Sequence, residues 1–481
     1  MRNASSFQAS KDKIDKIRCV FDPKSIAVVG ASSTPITWGN WIAKNVAEGV
    51  NRRKVFFINP KLKMILGLQS YPSIKEVGDE VELAVVIVSS DKVLPVVDEC
   101  VSKGVKVIQI ISGGFREATE WGKRAQETLT AISHETGVRI QGPNCNGALN
   151  VSANLNTSSA PNHFLKDSPI GFATQSGYIG NTFLYNGPAT GISFGKYASV
   201  GNEADLTITD FIEYFGEDPS VKVIMSYIEG VRSGKRFREV VEKVSKRKPI
   251  VVFKVGESES GSRAALSHTA SIAGSCPVFK GLFKQLGVIQ ISELDMLPRI
   301  ANALAKFPLM RGKKVTVITI GAGWAVALSD ALPRGGLQVP EFSSELQSKI
   351  RKFIPSERAS VRNPIDFGAG GVYDPVLLSR LIELLFSENE VDAIVISGIG
   401  EMAPIEPSSV EWEVALGSKA YENSLKYSKP IVFFTPLTKM SSISVEKLID
   451  QGVPISHSIS EVVTTLSSLR QRWNSPKRET R

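Results

Sequence analysis

A short β-branched run that ends in a glycine turn and gives way to a helical stretch recurs three times along this chain, and it leaves few folds open. Ser25 to Val29 runs into Gly30-Ala31-Ser32-Ser33 ahead of a helix expected at about Trp38 to Val46. Ile170 to Thr174 runs into Gln175-Ser176-Gly177, and Val315 to Ile320 runs into Gly321-Ala322-Gly323. Strand, glycine turn and helix together make a unit in which free backbone N–H groups at a helix start face an anion. Further apolar runs surround each copy: Val55 to Ile58, Leu83 to Val88, Lys106 to Ile111 and Val138 to Gly142 for the first. Ile192 to Val200, Val221 to Ile228 and Ile250 to Val255 follow the second, and Val391 to Ser397 and Ile431 to Thr435 the third. Apolar runs alternating with helices imply parallel sheets covered on both faces. At 481 residues the chain is too long for one hydrophobic core. The expected class is α/β, with three doubly wound domains at 1–150, 151–308 and 309–481. Gly142 to Gly147 closes the first, a new α/β unit starts at Ile170, and the polar seam Arg311-Gly312-Lys313-Lys314 follows Pro308. Asn363-Pro364-Ile365-Asp366 is read as a turn.

With 42% hydrophobic and 22% charged residues the chain has the composition of a soluble globular protein. Its net charge of +9 is spread along the sequence, the densest groups being Lys243 to Lys248 and Arg470 to Arg481. Such a surface suits phosphate-bearing small ligands, and no nucleic-acid or membrane partner is expected. Cys19, Cys100, Cys145 and Cys276 lie far apart in no disulfide pattern, which points to a reducing compartment. No signal-peptide core precedes Lys16, and no apolar run is long enough to span a bilayer. A cytoplasmic location is expected.

The first glycine turn lacks the full Gly-x-Gly-x-x-Gly fingerprint, with only Gly30 and the later Gly39 in place. Its second strand ends in Asn59-Pro60-Lys61, where a dinucleotide site places an acidic residue for the ribose hydroxyls. An NAD-dependent dehydrogenase is therefore disfavoured, and Lys61 suits an extra phosphate. The second turn offers Ser176 at another helix start. The third is followed by bulky Trp324, so that domain reads as more structural than catalytic. The stretch Gly261 to Gly274 holds one histidine, His268, among small and hydroxylated residues that are poor core and poor helix-interior material. It reads as a mobile loop presenting an imidazole as nucleophile or base. No Cys-x-x-Cys or His-x-x-x-His spacing accompanies it, so no metal is expected. Glu229, at the end of the run Val223 to Ile228, has a role beside such a histidine: a hydrogen bond to one ring nitrogen leaves the other free to attack. Sites in open parallel sheets collect at the carboxyl ends of strands, where Ser176, Glu229 and His268 are placed to converge.

Taken in order, Val29-Gly30-Ala31-Ser32, Asn59-Pro60-Lys61, Gly142-Pro143-Asn144-Cys145, Gln175-Ser176-Gly177, Gly201-Asn202 with Asp205, Tyr227-Ile228-Glu229-Gly230, Ser267-His268-Thr269 and Asn363-Pro364-Ile365-Asp366 form a specific series. In that series the chain resembles the α subunits of ADP-forming acyl-CoA synthetases, relatives of the succinyl-CoA synthetase α subunit. The resemblance implies an N-terminal Rossmann-like CoA-binding domain followed by two flavodoxin-like domains. It also implies that phosphate attacks an acyl-CoA, that His268 becomes phosphorylated, and that ADP on a separate ATP-grasp β subunit, with Mg, receives the phosphoryl group. Carried over by motif, Glu229 orients His268, and Ser176, Gly177 and Tyr178 hold phosphate. Gly30, Ala31, Ser32, Lys61, Ser89 and Asn144 contact CoA, and the assembly is a hetero-oligomer. The sequence departs from the pattern at Ala270, Cys276, Asn146 and Trp324. Ala270 restricts positive φ in the loop and keeps open a second reading, a catalytically inactive CoA-binding regulatory or scaffolding paralogue.

Overall fold

Each of the three glycine-ended runs forms a central strand of its own sheet. The computed structural model describes residues 15–261, 263, 276–319, 321–354, 356–367 and 375–475. The first sheet holds β1 (Ser25–Val29), β2 (Lys54–Ile58), β3 (Met64–Ile65), β4 (Leu68–Tyr71), β5 (Leu83–Val86), β6 (Val107–Ile110) and β7 (Arg139–Gln141). Their order is β3-β4-β2-β1-β5-β6-β7, parallel except for the β3–β4 hairpin. The order reverses between β1 and β5, which makes the carboxyl ends of these two strands the crevice where a doubly wound sheet binds its ligand.

The second sheet contains β8 (Ala148–Asn150), β9 (Leu155–Asn156), β10 (Ile170–Thr174), β11 (Lys196–Ser199), β12 (Val223–Ile228), β13 (Ile250–Lys254) and β14 (Ile289–Ile291), in the order β14-β13-β12-β10-β11-β8-β9. Its five parallel strands follow the flavodoxin-like order, with the switch between β10 and β12. The third sheet repeats that order with β15 (Val315–Thr319), β16 (Ile365–Asp366), β17 (Ala393–Ser397), β18 (Ile431–Phe434) and β19 (Ile455–Ser456), arranged β16-β15-β17-β18-β19. β1, β10 and β15 are buried at every residue, which is why they read as unbroken apolar runs.

Three readings change here. The second sheet begins before Ile170, because β8 pairs antiparallel with β11 (Ala148 opposite Ala198) and β9 with β8. The strand expected over Ile192 to Val200 starts only at Lys196. Asn363-Pro364 is a cis peptide bond that leads directly into β16, so only the first half of that motif is a turn.

Two compact units result: one takes in the first and second sheets up to Leu297, the other the third sheet with Ala189–Ile192. The division falls earlier than the seam expected after Pro308. Most of the helix Met296–Lys306 is tied to the second unit: Lys306 Nζ donates to the Gly452 carbonyl at 3.0 Å and Tyr421 Oη to the Lys306 carbonyl at 3.0 Å. Inside the first unit one continuous core joins both sheets, with Phe21 stacked on Tyr214 at 4.9 Å and packed on Phe211 and Phe215. Burying one such ring contributes roughly 2–3 kcal/mol, so the two sheets are held as one body.

The turn after β1 depends on close backbone approach. Gly30 has φ +92°, and a Cβ there would lie 2.2 Å from the Ile87 carbonyl oxygen. A Cβ on Gly39, in the helix Trp38–Ala47, would lie 2.3 Å from the Gly30 oxygen. Gly39→Ala is expected to lower stability by about 1–3 kcal/mol in urea unfolding. Gly281→Ala, with nothing within 4 Å of the added methyl, is expected to be neutral or stabilising by up to about 1 kcal/mol. Equal midpoints for both variants would contradict the role assigned to Gly39.

Candidate active site

The second sheet's switch point sets the chemistry. β10 and β12 run side by side with Thr174 opposite Tyr227, and β13 lies next with Lys254 opposite Ile228. The turns that follow these strands are therefore neighbours. Thr174 locks the first: its hydroxyl donates to the Ser176 carbonyl at 2.9 Å and accepts the Ser176 N–H at 3.1 Å. Ser176 caps the helix Gly177–Tyr185, its Oγ accepting the Ile179 N–H at 3.3 Å. The remaining N–H groups of the first turn point where an anion is stabilised. A side chain at Gly177 would meet Asn146 at 2.8 Å, so only glycine lets the exit loop of the first sheet come this close.

Gln175 joins this turn to the next. Its Oε1 accepts the backbone N–H groups of Glu229 and Gly230, at 2.5 and 3.0 Å, and its Nε2 donates to the Gly230 carbonyl at 2.9 Å. Glu229 is buried directly behind, and Lys254 Nζ donates to its backbone carbonyl at 2.8 Å. Ser176 and Glu229, expected to converge, are thus brought together through one amide. His268 lies outside the described residues, as do Ala270 and most of the stretch Gly261 to Gly274.

A cavity of about 690 Å³ opens in the first unit between this turn and the carboxyl ends of β5 and β6. Asn144, Ser176, Gly177 and Tyr178 line it, so the structure gathers one expected CoA contact and all three expected phosphate contacts around one space. Gly30, Ala31, Ser32, Lys61 and Ser89 are not in its wall. They stand at the ends of β1, β2 and β5, where Asn59 Nδ2 donates to the Ala31 carbonyl at 2.8 Å and Thr34 N–H to Ser32 Oγ at 3.0 Å. The Lys61 N–H bonds Asn59 Oδ1 at 2.9 Å and the residue is exposed. Ser89 precedes the helix Ser90–Ser102.

The sequence reading missed several wall residues: Trp38 and Trp41, Ser159, Asn181 and Tyr185. Asn146, noted only as a departure, stitches the site together by donating Nδ2–H to the Gly177 carbonyl at 3.2 Å and accepting the Ser159 N–H at 3.4 Å. Cys145 also lines the cavity, but burial pushes its thiol up to about 12. It stays protonated at neutral pH and is no nucleophile. Among the described residues, no cluster of His, Cys, Asp or Glu is placed to hold a metal ion, and no helix is long and apolar enough to cross a membrane.

The CoA binding domain model matches residues 24–150, and that of the succinyl-CoA ligase like flavodoxin domain matches residues 167–304. Over 453 residues the chain is 35% identical to acetate–CoA ligase [ADP-forming] II subunit alpha of Pyrococcus furiosus, spanning 94% of this chain and 97% of the relative. The chain belongs to the family of ADP-forming acetate–CoA ligase α subunits. It is also 33% identical to the I subunit alpha of the same organism, over 96% of this chain and 99% of the relative. Acetyl-coenzyme A synthetase 1 of Ca. Korarchaeum cryptofilum, solved in complex with phosphate and ADP, superposes with a TM-score of 0.84 at 31% identity, over 95% of this chain and 96% of that one.

In this ligase α subunit a titratable group stands behind the turn. Glu203 is fully buried, accepts the Ile208 N–H at 2.7 Å and lies 3.7 Å from Arg232 Nε. Burial pushes its carboxyl up to about 7, and the Ile208 N–H, the Arg232 charge and the Gln175 side chain only partly oppose it. The folded chain therefore holds this proton up to a higher pH than the unfolded chain, whose carboxyl titrates near 4.5. The stabilisation is complete below that value and is lost as pH rises through about 7. Glu203→Gln is expected to flatten the pH dependence of thermal unfolding in this window, and at pH 8 to be more stable than the parent by about 1–3 kcal/mol. Parallel profiles for the two proteins would contradict a buried, raised Glu203.

Proposed function

We propose that this α subunit binds a CoA thioester and inorganic phosphate in the cavity between its first two sheets and passes a phosphoryl group on through His268. The observation that carries the reading is the shared wall: Asn144, at the exit of the CoA binding domain, and Ser176 with Gly177, at a helix N-terminus, line one space. Phosphoryl and acyl transfer demand positioned charge more than covalent machinery, and a helix start with free N–H groups supplies it.

The first step joins a phosphate oxygen to the acyl carbon. The C–S bond breaks, and CoA leaves as a thiolate that takes up a proton. Backbone N–H groups of Gly177 and Tyr178 hold the phosphate, while Gly30, Ala31, Ser32, Ser89 and Lys61 anchor the CoA body outside the cavity. In the second step a ring nitrogen of His268 attacks phosphorus, and the P–O bond to the acyl group breaks to release the carboxylate. Glu229 orients the imidazole by accepting its other N–H. An ATP-grasp partner chain holding ADP and Mg then takes the phosphoryl group from His268, which makes the working assembly a hetero-oligomer.

With its partner chain and γ-labelled ATP, the protein is expected to acquire an acid-labile, base-stable label that His268→Asn abolishes and Glu229→Gln reduces at least tenfold. An unlabelled parent would favour the non-catalytic CoA-binding paralogue, and label retained in His268→Asn would remove that residue from the path.

A further inference from the structure

The segment that follows β11 runs along the exit of β7, where Asn202 N–H bonds the Pro143 carbonyl and Ala204 N–H the Gly142 carbonyl, both at 2.8 Å. Glu203 stands between them with φ +57°, a left-handed conformation that disfavours residues with a Cβ. Glycine or asparagine would meet that backbone more cheaply, so the carboxylate is the property to account for.

Both of its oxygens are engaged. Oε1 accepts the Ile208 N–H at 2.7 Å, at the start of the helix Ile208–Glu217, and Oε2 lies 3.7 Å from Arg232 Nε. Arg232 also donates from Nη2 to the Asn202 carbonyl at 2.8 Å. The loop that leaves β12 is thereby pinned twice. Gln175 holds Glu229 and Gly230 at its start, and Asn202 with Glu203 holds Arg232 at its end.

We infer that Glu203 is a positioning residue of this ligase: by holding Arg232 it fixes the loop that carries Glu229, and with it the spacing from Glu229 to the Ser176 helix start. This rests on the reading of Glu229 and His268 as the phosphoryl-transfer pair. The hold needs the ionised carboxylate. The Ile208 N–H occupies Oε1, so a proton taken up by the group sits on Oε2, toward the guanidinium, and two donors then face each other.

Burial is the largest influence on this carboxyl and moves its transition up to about 7. The Ile208 N–H, Arg232 and Gln175 favour its charge, while Asp210, itself paired with Arg236 at 2.8 Å, opposes it. Burial and the nearby Arg116 both disfavour the Arg232 charge, and Glu203 favours it. As pH falls through the transition the pair is lost, and the end of the loop keeps only the Asn202 carbonyl. Stability and function therefore pull apart. Folding favours the protonated group and positioning needs the charged one, so a neutral isostere helps the first and harms the second.

Initial rates of label transfer from γ-labelled ATP, with the partner chain present, test this for the parent and Glu203→Gln at pH 6 and pH 8. The variant is expected to be at least about tenfold slower at pH 8 and within about threefold of the parent at pH 6, while its thermal midpoint at pH 8 is the higher of the two. Arg232→Gln is expected to show the same loss at pH 8, and the double variant to be no slower than either single one, since the same hold is removed in all three. A parent-to-variant ratio equal at both pH values, a Glu203→Gln rate equal to the parent's at pH 8, or losses that multiply in the double variant would overturn the positioning role and leave the transfer path standing. Glu203→Gln less stable than the parent at pH 8 would overturn it too, because slow transfer would then follow from a loosened fold. A parent that takes up no label would overturn both.

Discussion

Everything at the centre of the first unit depends on the side-chain amide of Gln175. Two neighbouring strands end there, and their turns would otherwise present unpaired backbone groups to a water-accessible cleft. One carboxamide accepts two N–H groups and donates to a carbonyl, closing the ends of β10 and β12 on each other. A bond of this kind contributes about 1 kcal/mol net, but leaving a buried partner unmade costs about 1–3 kcal/mol. The amide therefore acts as a constraint on geometry: it fixes how far the Ser176 helix start sits from Glu229. A shift of about 1 Å in such a spacing is enough to lose much of the rate of a transfer reaction.

A second set of constraints holds the first sheet against that turn. The segment after β11 follows the exit of β7: Leu206 N–H bonds the Ile140 carbonyl at 2.9 Å, Ala204 the Gly142 carbonyl at 2.8 Å and Asn202 the Pro143 carbonyl at 2.8 Å. Asp205 accepts the Ile140 N–H at 3.0 Å and pairs with Arg139. Asn202 itself reaches Gln126 and Glu117. Backbone pairing of this density, over a core common to both sheets, makes the cavity wall a preformed surface. The same residues carry a cost, because they bury Glu203, whose ionisation opposes folding as pH rises. Thr319 locks the turn after β15 with the same pair of bonds that Thr174 makes after β10. There Gly321 replaces the capping serine and Trp324 packs on Phe434 at 5.0 Å.

What the sequence revealed follows from burial. β1, β10 and β15 are covered on both faces, so their apolar runs are continuous and their positions legible. The shortest strands were not, since β3, β8, β9, β16 and β19 are only two or three residues long and carry no usable period. Ser176 and Gly177 stand out because a capping serine and a glycine follow an apolar strand, and Glu229 because it ends one. Trp38, Trp41, Asn181 and Tyr185 gave no such sign. A helix face that lines a cavity and one that packs a core share the same period, and only the tertiary fold tells them apart. Ser159 lies in an irregular stretch after β9, where its neighbourhood is set by Asn146 and Asn181, both remote from it in sequence.

The central claim is that CoA from the first sheet and phosphate at the second sheet's helix start meet in one cavity. A crystal structure of the full chain grown with CoA and phosphate tests it most directly. The account predicts phosphate on the N–H groups of Gly177 and Tyr178, with the CoA sulfur beside it between Asn144 and Ser176. Phosphate bound elsewhere, or a CoA thiol pointing away from the Ser176 turn, would contradict it.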